Sequence, residues 1–293
     1  MNAVGNQKHA YLIMAHNNFE QLKTLIALLD DPRNDIYLHV DKKAKDFCPD
    51  SIKTERAGLH LVEPVRVTWG GHSQIRCEMR LFKAAAGGHY LYYHLLSGVD
   101  LPIKTQDEIH AFFREHAGEN FMEIDEKEME TRDFVSRTCY YHLFRNITGK
   151  SKKPWMRALT LLEKLTLAAQ KALGVRRKEL VPLCKGANWV SITDELLQWI
   201  VGQEEVIQKQ FSYSVCADEV FLQSVAMASP YRDSIVKNYY RAIDWERGSP
   251  YTYRREDVPA LLSSPAFFAR KFDAAVDPEA IRLVAEQLRR GSN

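Results

Sequence analysis

No two of the five cysteines form a Cys-x-x-Cys pair; they stand far apart at Cys48, Cys77, Cys139, Cys184 and Cys216. That spacing excludes a zinc ribbon, and an odd, scattered set argues against a disulfide framework. Glycine is sparse where nucleotide sites often need it. Neither a Gly-x-Gly-x-x-Gly fingerprint nor a Gly-x-x-x-x-Gly-Lys loop occurs, which disfavours a dinucleotide site or P-loop. A Gly-x-Ser-x-Gly elbow is missing as well, so a Ser-His-Asp esterase is not expected. No apolar run approaches the roughly 18 residues that span a bilayer. Residues 1–9 hold no charged start followed by an apolar stretch, the pattern of a secretion signal. With 40 basic against 38 acidic residues, nothing calls for a nucleic-acid partner. A reduced, cytoplasmic setting is the expectation.

A chain of 293 residues can bury a substantial core, and no repeat or low-complexity linker divides it, so one domain is expected over 1–293. Two short apolar runs near the start say most. Ala10-Tyr11-Leu12-Ile13-Met14-Ala15 stops at His16-Asn17-Asn18, and Asp35-Ile36-Tyr37-Leu38-His39-Val40 stops at Asp41-Lys42-Lys43. Between them Leu22, Leu25, Ile26 and Leu29 keep the i, i+3, i+4, i+7 spacing of a helix. Continuous apolar strands flanking an amphipathic helix make a βαβ unit with parallel strands buried on both faces. Ligands of such sheets bind beyond the carboxyl ends of the strands, where His16, Asn17 and Asp41 would stand.

The alternation continues. Residues 58–63 and 65–69 read as strands, Gly70-Gly71 as a turn, and Ser73 as the cap of a helix over 74–86 with Ile75, Met79, Phe82 and Ala86 on one face. Tyr90 to Leu96 is another buried strand, stopping at Ser97-Gly98-Val99-Asp100. Thr105-Gln106-Asp107-Glu108 is a capping box opening a helix over 109–115. Residues 1–125 thus predict a mainly parallel, helix-covered sheet, the nucleotide-binding part of an α/β fold. The later part, 185–273, predicts a strand over 185–192, a helix from Thr193, a polar loop over 211–217 and a helix opening at Asp218-Glu219. Beyond it, 257–290 reads as largely helical, with breaks around Pro265, Phe268 to Phe272 and Pro278 and a frayed polar tail over 287–293.

The intervening segment 145–178 differs. It carries Arg145, Lys150, Lys152, Lys153, Arg157, Lys164, Lys171, Arg176, Arg177 and Lys178 against one acid, Glu163. A helix beginning at Pro154-Trp155 places Trp155, Leu159, Leu162, Leu165, Ala169 and Ala172 along one stripe. Arg157, Lys164 and Lys171 follow another. An amphipathic helix at an anionic membrane surface fits this pattern. A helix packed on the domain with its basic face in water fits equally.

Chemistry concentrates late in the chain. A carboxylate in the first turn of a helix is held ionised by the helix dipole and can act as a base, or simply cap the helix, so Asp218-Glu219 carries both readings. Arg270-Lys271 lies among Phe267, Phe268 and Phe272, where an apolar frame could fix a cation against a diphosphate, or where the stems merely snorkel. His16, His39 and His72 could join Asp41 around a metal, but no metal-ligand spacing supports it, so none is expected.

Read in order, these segments resemble glycosyltransferase family 14, the core-2/I-branching β-1,6-N-acetylglucosaminyltransferases and related peptide O-xylosyltransferases. The resemblance runs from about Ala10 to Asp273. It is carried by Tyr11 to His16, Tyr37-Leu38-His39-Val40-Asp41-Lys42, Val67-Thr68-Trp69-Gly70-Gly71-His72-Ser73, and His94 through Ile103. Further on it is carried by Lys185-Gly186-Ala187-Asn188-Trp189-Val190, Ala217-Asp218-Glu219-Val220-Phe221, Asp244 through Pro250, and Phe268 through Asp273.

The resemblance implies a GT-A fold, a UDP-sugar donor, a glycan or glycolipid acceptor, and inversion at the anomeric carbon. It also implies metal independence, with basic residues replacing the ion. Carried onto this chain, Glu219 matches the catalytic base. Asp41 matches the uridine contact and Lys271 the diphosphate lysine, with His16, Asp100 and Arg270 beside them on the donor side. Trp245 and Trp189 fall to the acceptor side. GlcNAc transfer in cell-surface polysaccharide synthesis is the favoured reaction, UDP-xylose the alternative donor, and a non-catalytic nucleotide- or glycan-binding relative a third reading. Two departures stand out: Cys216-Ala217 replaces Ser-Pro before Asp218-Glu219, and the family's second diphosphate arginine has no clean equivalent. Tyr251 occupies about its place, with Arg254 and Arg255 nearby. The membrane anchor and disulfides of animal members are also absent, which points to a bacterial, cytoplasmic-side enzyme, peripheral on the inner membrane face.

Overall fold

The computed structural model describes residues 6–151 and 153–291, so the start of the chain, Lys152 and the end of the polar tail lie outside the described residues. Strand β1 (Asn6–Ala15), helix α1 (Phe19–Leu29) and strand β2 (Asn34–Val40) form the expected βαβ unit, with β1 and β2 parallel. Strand β3 (Gly58–Val62) adds to β2, helix α2 (Ser73–Ala85) covers one face, and β4 (Tyr90–Ser97) pairs parallel with β1. Then come β5 (Leu101–Pro102), α3 (Gln106–Glu115), β6 (Asn120–Phe121), and four helices of the connecting segment: α4 (Glu126–Thr131), α5 (Ser136–Cys139), α6 (Arg145–Thr148) and α7 (Pro154–Ala172). The chain returns through β7 (Ser191–Ile192), α8 (Asp194–Gly202), α9 (Glu204–Phe211), α10 (Asp218–Met227), β8 (Ile235–Val236) and β9 (Arg241–Ile243). Helix α11 (Val258–Ser263), β10 (Phe268–Arg270) and α12 (Pro278–Gly291) complete it.

Among the described residues the main sheet has the order β3-β2-β1-β4-β7-β6-β8, and a small sheet has the order β5-β10-β9. The main sheet is parallel except where β7 runs against β4 and β6. Strand β8 comes from beyond residue 185, so the two parts expected from sequence share one sheet. The reason β1 reads as a continuous apolar run is that both of its faces are covered. Tyr11, Ile13 and Ala15 enter a core with α1, α3 and α12, while Ala10 and Leu12 enter a second core with α2, α8 and α10. Burying one such side chain is worth about 1.5–3 kcal/mol. The Thr105 capping box forms as expected, each partner accepting from the other's backbone N–H.

Several local expectations fail, most of them where backbone donors find partners outside the expected ladder. Residues 65–69 are not a strand. The N–H of Val65 goes to His39 Nε2 (2.8 Å), that of Val67 to Asp41 (3.4 Å), and that of Thr68 to Ser73 Oγ (2.7 Å). Ser73 is therefore committed to the preceding loop, and it opens α2 without capping it. Only Ser191–Ile192 of the segment 185–192 is strand. The N–H of Gly186 is taken by Glu219 O (3.0 Å) and that of Ala187 by the Glu123 carboxylate (2.8 Å). The segment around Phe268 is a strand rather than a helix break, and the C-terminal helix runs on to Gly291.

His39 accepts from Val65 with one nitrogen and sits 3.1 Å from Cys77 Sγ with the other, so it is a core histidine with no free ligand atom. Burial likewise drives the pKa of His72 down to about 4.

Candidate active site

Strands β1, β2 and β4 end side by side, and the polar groups follow their last residues. Asp41, after β2, donates its N–H to Ala15 O at the end of β1 (2.9 Å) and is buried. Its carboxylate accepts the N–H of Lys43 (2.9 Å) and lies 3.4 Å from the Lys43 ammonium. His16, after β1, interacts electrostatically with Asp41, Lys43 and Arg270. Although the residue is exposed overall, desolvation of the ring outweighs Asp41 and lowers its pKa.

Asp100, after β4, is 2% exposed with both oxygens engaged. One accepts the Ser97 N–H (2.9 Å), and the other accepts the Ser97 hydroxyl (2.6 Å) and the Arg270 guanidinium (3.0 Å). Arg270 also lies over the Trp189 indole, 4.3 Å from its centroid. A guanidinium held by a carboxylate below and an aromatic face beside it is a fixed charge. Asp100 is thus engaged by Arg270, and Trp189, 8% exposed, is the platform under that guanidinium.

Lys271 follows on the same strand end. Its carbonyl accepts the Tyr253 N–H (2.9 Å) and its N–H reaches Tyr251 O (3.5 Å), which pins the backbone from which the ammonium projects. Among the described residues that ammonium makes no ion pair. Tyr251 stacks beneath Arg247 (4.1 Å), Arg255 is tied to Asp277 (3.2 Å), and Arg254 is exposed. Arg270 is therefore the cation nearest Lys271 in the chain and the natural second charge at this end. Trp245, on the loop after β9, is 57% exposed and offers an open aromatic face.

Glu219 stands in the first turn of α10, its side chain 41% exposed and paired with Arg137 at 2.8 Å. One short segment ties it to the cations. Gly186 donates to Glu219 O, and three residues later Trp189 lies under Arg270. Three trans peptide steps cover at most about 11 Å between Cα atoms. Residues 186–189 thus link the backbone of Glu219 to the Trp189 platform under Arg270. The close approach depends on glycine, since a Cβ on Gly186 would fall 1.9 Å from Glu123 O.

Behind Glu219 lie two carboxyls that face inward. Glu78 is fully buried, and burial, then Asp218, push its pKa well above the carboxylate range. Asn188 is its hydrogen-bond partner, at 3.4 Å. Asp218 is enclosed around its carboxyl though the residue is only half-buried as a whole. Burial, then the charge of Glu219, push it up to about 7, and Gln74 donates to it (2.7 Å). Sequence reasoning passed over Glu78 and Arg137. Glu78 had a signal: it lies between Ile75 and Phe82 on the apolar stripe of α2. Arg137 had none, because only the tertiary fold brings it 82 residues along the chain to Glu219.

Asp218 gives a stability prediction. The unfolded carboxyl ionises near 3.8 and the folded one near 7, so folding takes up a proton between them. Its contribution is complete below about pH 4 and is lost as pH rises toward 7. Asp218→Asn should therefore stabilise the fold at pH 8 by roughly 1–3 kcal/mol, and by little at pH 4. Thermal melts of both proteins at the two pH values check this.

A cavity of about 700 Å³ opens elsewhere, between α2, β3 and α9, lined by Tyr37, His60, Arg76, Met79 and Ile207 among others. None of the strand-end residues named above lines it. At the strand ends the structure instead brings together Asp41, the Asp100–Arg270 pair and the Trp189 indole.

A mainly parallel, helix-covered sheet defines an α/β protein, a class whose ligands bind beyond the strand carboxyl ends. The chain belongs to the Core-2/I-Branching enzyme family, whose model matches residues 9–264. It is 24% identical over 305 residues to xylosyltransferase 2 of Rattus norvegicus, covering 94% of this chain and 33% of that protein. The human xylosyltransferase 2 is 23% identical over 309 residues, with 94% and 33% covered. A xylosyltransferase of Ciona intestinalis is 22% identical over 306 residues, with 92% and 33% covered. The chain spans about a third of the length of these curated relatives. A solved mouse xyloside xylosyltransferase 1, in apo form, overlays 89% of this chain and 96% of that one at a TM-score of 0.36 and 9% identity, too slight to bear on the fold.

Proposed function

We propose that this protein is an inverting glycosyltransferase that moves a sugar from a UDP-sugar to a hydroxyl of a glycan or glycolipid. The observation that supports the reading is the strand-end group of Asp41 and the Asp100–Arg270 pair over Trp189, with Lys271 next in the chain and the segment 186–189 leading from Trp189 to Glu219. A sugar hydroxyl is a poor nucleophile at neutral pH. Glu219 takes its proton as the oxygen attacks the anomeric carbon. The new C–O bond forms as the bond from that carbon to the diphosphate oxygen breaks, and the electron pair leaves with UDP. Lys271, with Arg270 fixed between Asp100 and Trp189, meets the charge that develops on the diphosphate, so no resident metal is required. Arg137 pairs with the Glu219 carboxylate and fixes its position. His16 and Asp41 line the nucleoside end, and Trp245 provides an apolar face for the acceptor ring.

GlcNAc is the first donor to test, in synthesis of a surface polysaccharide at the inner face of a membrane. A second reading, UDP-xylose, is favoured by the names of the relatives. The two donors differ at two ring positions, since GlcNAc carries a hydroxymethyl group at C5 and an acetamido group at C2 where xylose has hydrogen and hydroxyl, and pocket shape reads both. Release of UDP from a panel of UDP-sugars separates them: UDP-GlcNAc turned over fastest supports the first, UDP-xylose the second. Failure of every UDP-sugar and of UDP itself to bind would overturn the proposal.

A further inference from the structure

Helix α7 is a 19-residue helix on which no residue is buried. The face it turns to the body is formed by half-buried residues: Met156, Leu159, Glu163, Thr166, Leu167 and Gln170. Only Leu159 of the stripe named from sequence lies on that face, so the stripe is not a packing surface. The apolar bulk points the other way. Trp155, Leu161, Leu162, Leu165 and Leu173 are 55%, 60%, 43%, 59% and 78% exposed. At about 100° per residue, Arg157, Lys164 and Lys171 run along one flank of this outward face. They are all exposed.

The single acid of the segment has been turned inward. Glu163 accepts the Phe144 N–H (2.9 Å), lies 3.2 Å from His142 Nδ1, and is 13% exposed at its side chain. The helix is anchored rather than loose: the Gln170 side chain pairs with both backbone groups of Tyr141 (2.8 and 3.0 Å). A rigidly held helix thus offers water a leucine-rich face, a basic flank and no acid.

We propose that α7 is an interfacial helix that docks this protein flat on an anionic lipid bilayer. Its leucines and Trp155 enter the boundary between headgroups and acyl chains, and Arg157, Lys164 and Lys171 rest on anionic headgroups. Charge decides the occupant. A second copy paired through this face would set the same basic flank against itself with no acid to offset it. A bilayer supplies both the apolar layer and the opposite charge. The helix lies in the surface and does not cross it, since among the described residues no helix is long and apolar enough to span a membrane.

The docking proposal is independent of the reaction and is tested without it. The full chain is sedimented with phosphatidylcholine vesicles, with or without phosphatidylglycerol, at low and high salt. Binding is expected to the anionic vesicles only and to weaken as salt rises. Arg157→Glu/Lys164→Glu/Lys171→Glu should cut that partitioning by about a hundred-fold or more. Leu161→Asp/Leu165→Asp should abolish it even at low salt. All five side chains are exposed, and unchanged far-UV circular dichroism confirms that the variants fold. Wild-type protein that stays in the supernatant with both vesicle types would overturn the proposal, as would triple-variant binding equal to wild type. A concentration-dependent dimer lost in the leucine variant, without vesicle binding, would assign the face to a second copy and overturn it equally.

Discussion

Glu219→Gln is expected to bind UDP as the wild type does while sugar transfer falls by about 10²- to 10⁴-fold, the usual worth of a general base. The substitution keeps the size of the side chain and removes only its ability to accept a proton. It also leaves Arg137, now 2.8 Å from a carboxylate, with a neutral amide to pair with. Because Glu219 is part-exposed, that loss is screened by solvent and should cost little stability. Calorimetric titration of UDP and initial rates of transfer separate the two effects. Near-normal turnover would remove Glu219 from the role of base and direct attention to Asp218.

Lys271→Ala is expected to lower kcat by about 10²- to 10³-fold, as loss of a group stabilising a developing negative charge does. Turnover by the wild type should persist in excess EDTA if, as proposed, Lys271 and Arg270 meet the diphosphate. A strict demand for a divalent ion would refute that assignment. Arg270→Ala is a poorer probe. It would strip Asp100, 2% exposed, of its cation and Trp189 of its partner, so a loss of activity would mix chemistry with a lost buried charge pair.

The frame of the fold was legible because its central strands are buried on both faces. Residues 10–15 and 35–40 read as strands from apolar runs alone, and the i, i+3, i+4 stripe of α1 and the capping box at Thr105 carried their own signals. Where polar side chains took over backbone donors, local pattern misled. Val65 to Trp69 looks like a strand but is held by His39, Asp41 and Ser73, each acting from a distance in sequence or from the next turn. Position at the ends of strands singled out His16, Asp41 and Asp100 as candidates. That Arg270 arrives from 170 residues away to pair with Asp100 and cover Trp189 was not legible. Helix α7 was legible as amphipathic. Which of its faces meets the body was not, since an apolar stripe has the same spacing whether it faces a core or a bilayer.

The central claim is that one carboxylate at the strand-end rim activates the acceptor while cations opposite it receive the diphosphate, in a single displacement. Proton nuclear magnetic resonance of the first product formed from an α-linked UDP-sugar reads this directly, through the configuration of the new linkage. The account predicts a β-linkage from the earliest turnover. An α-linked product would mean net retention, by two displacements or by attack on the face the diphosphate leaves, and would contradict it.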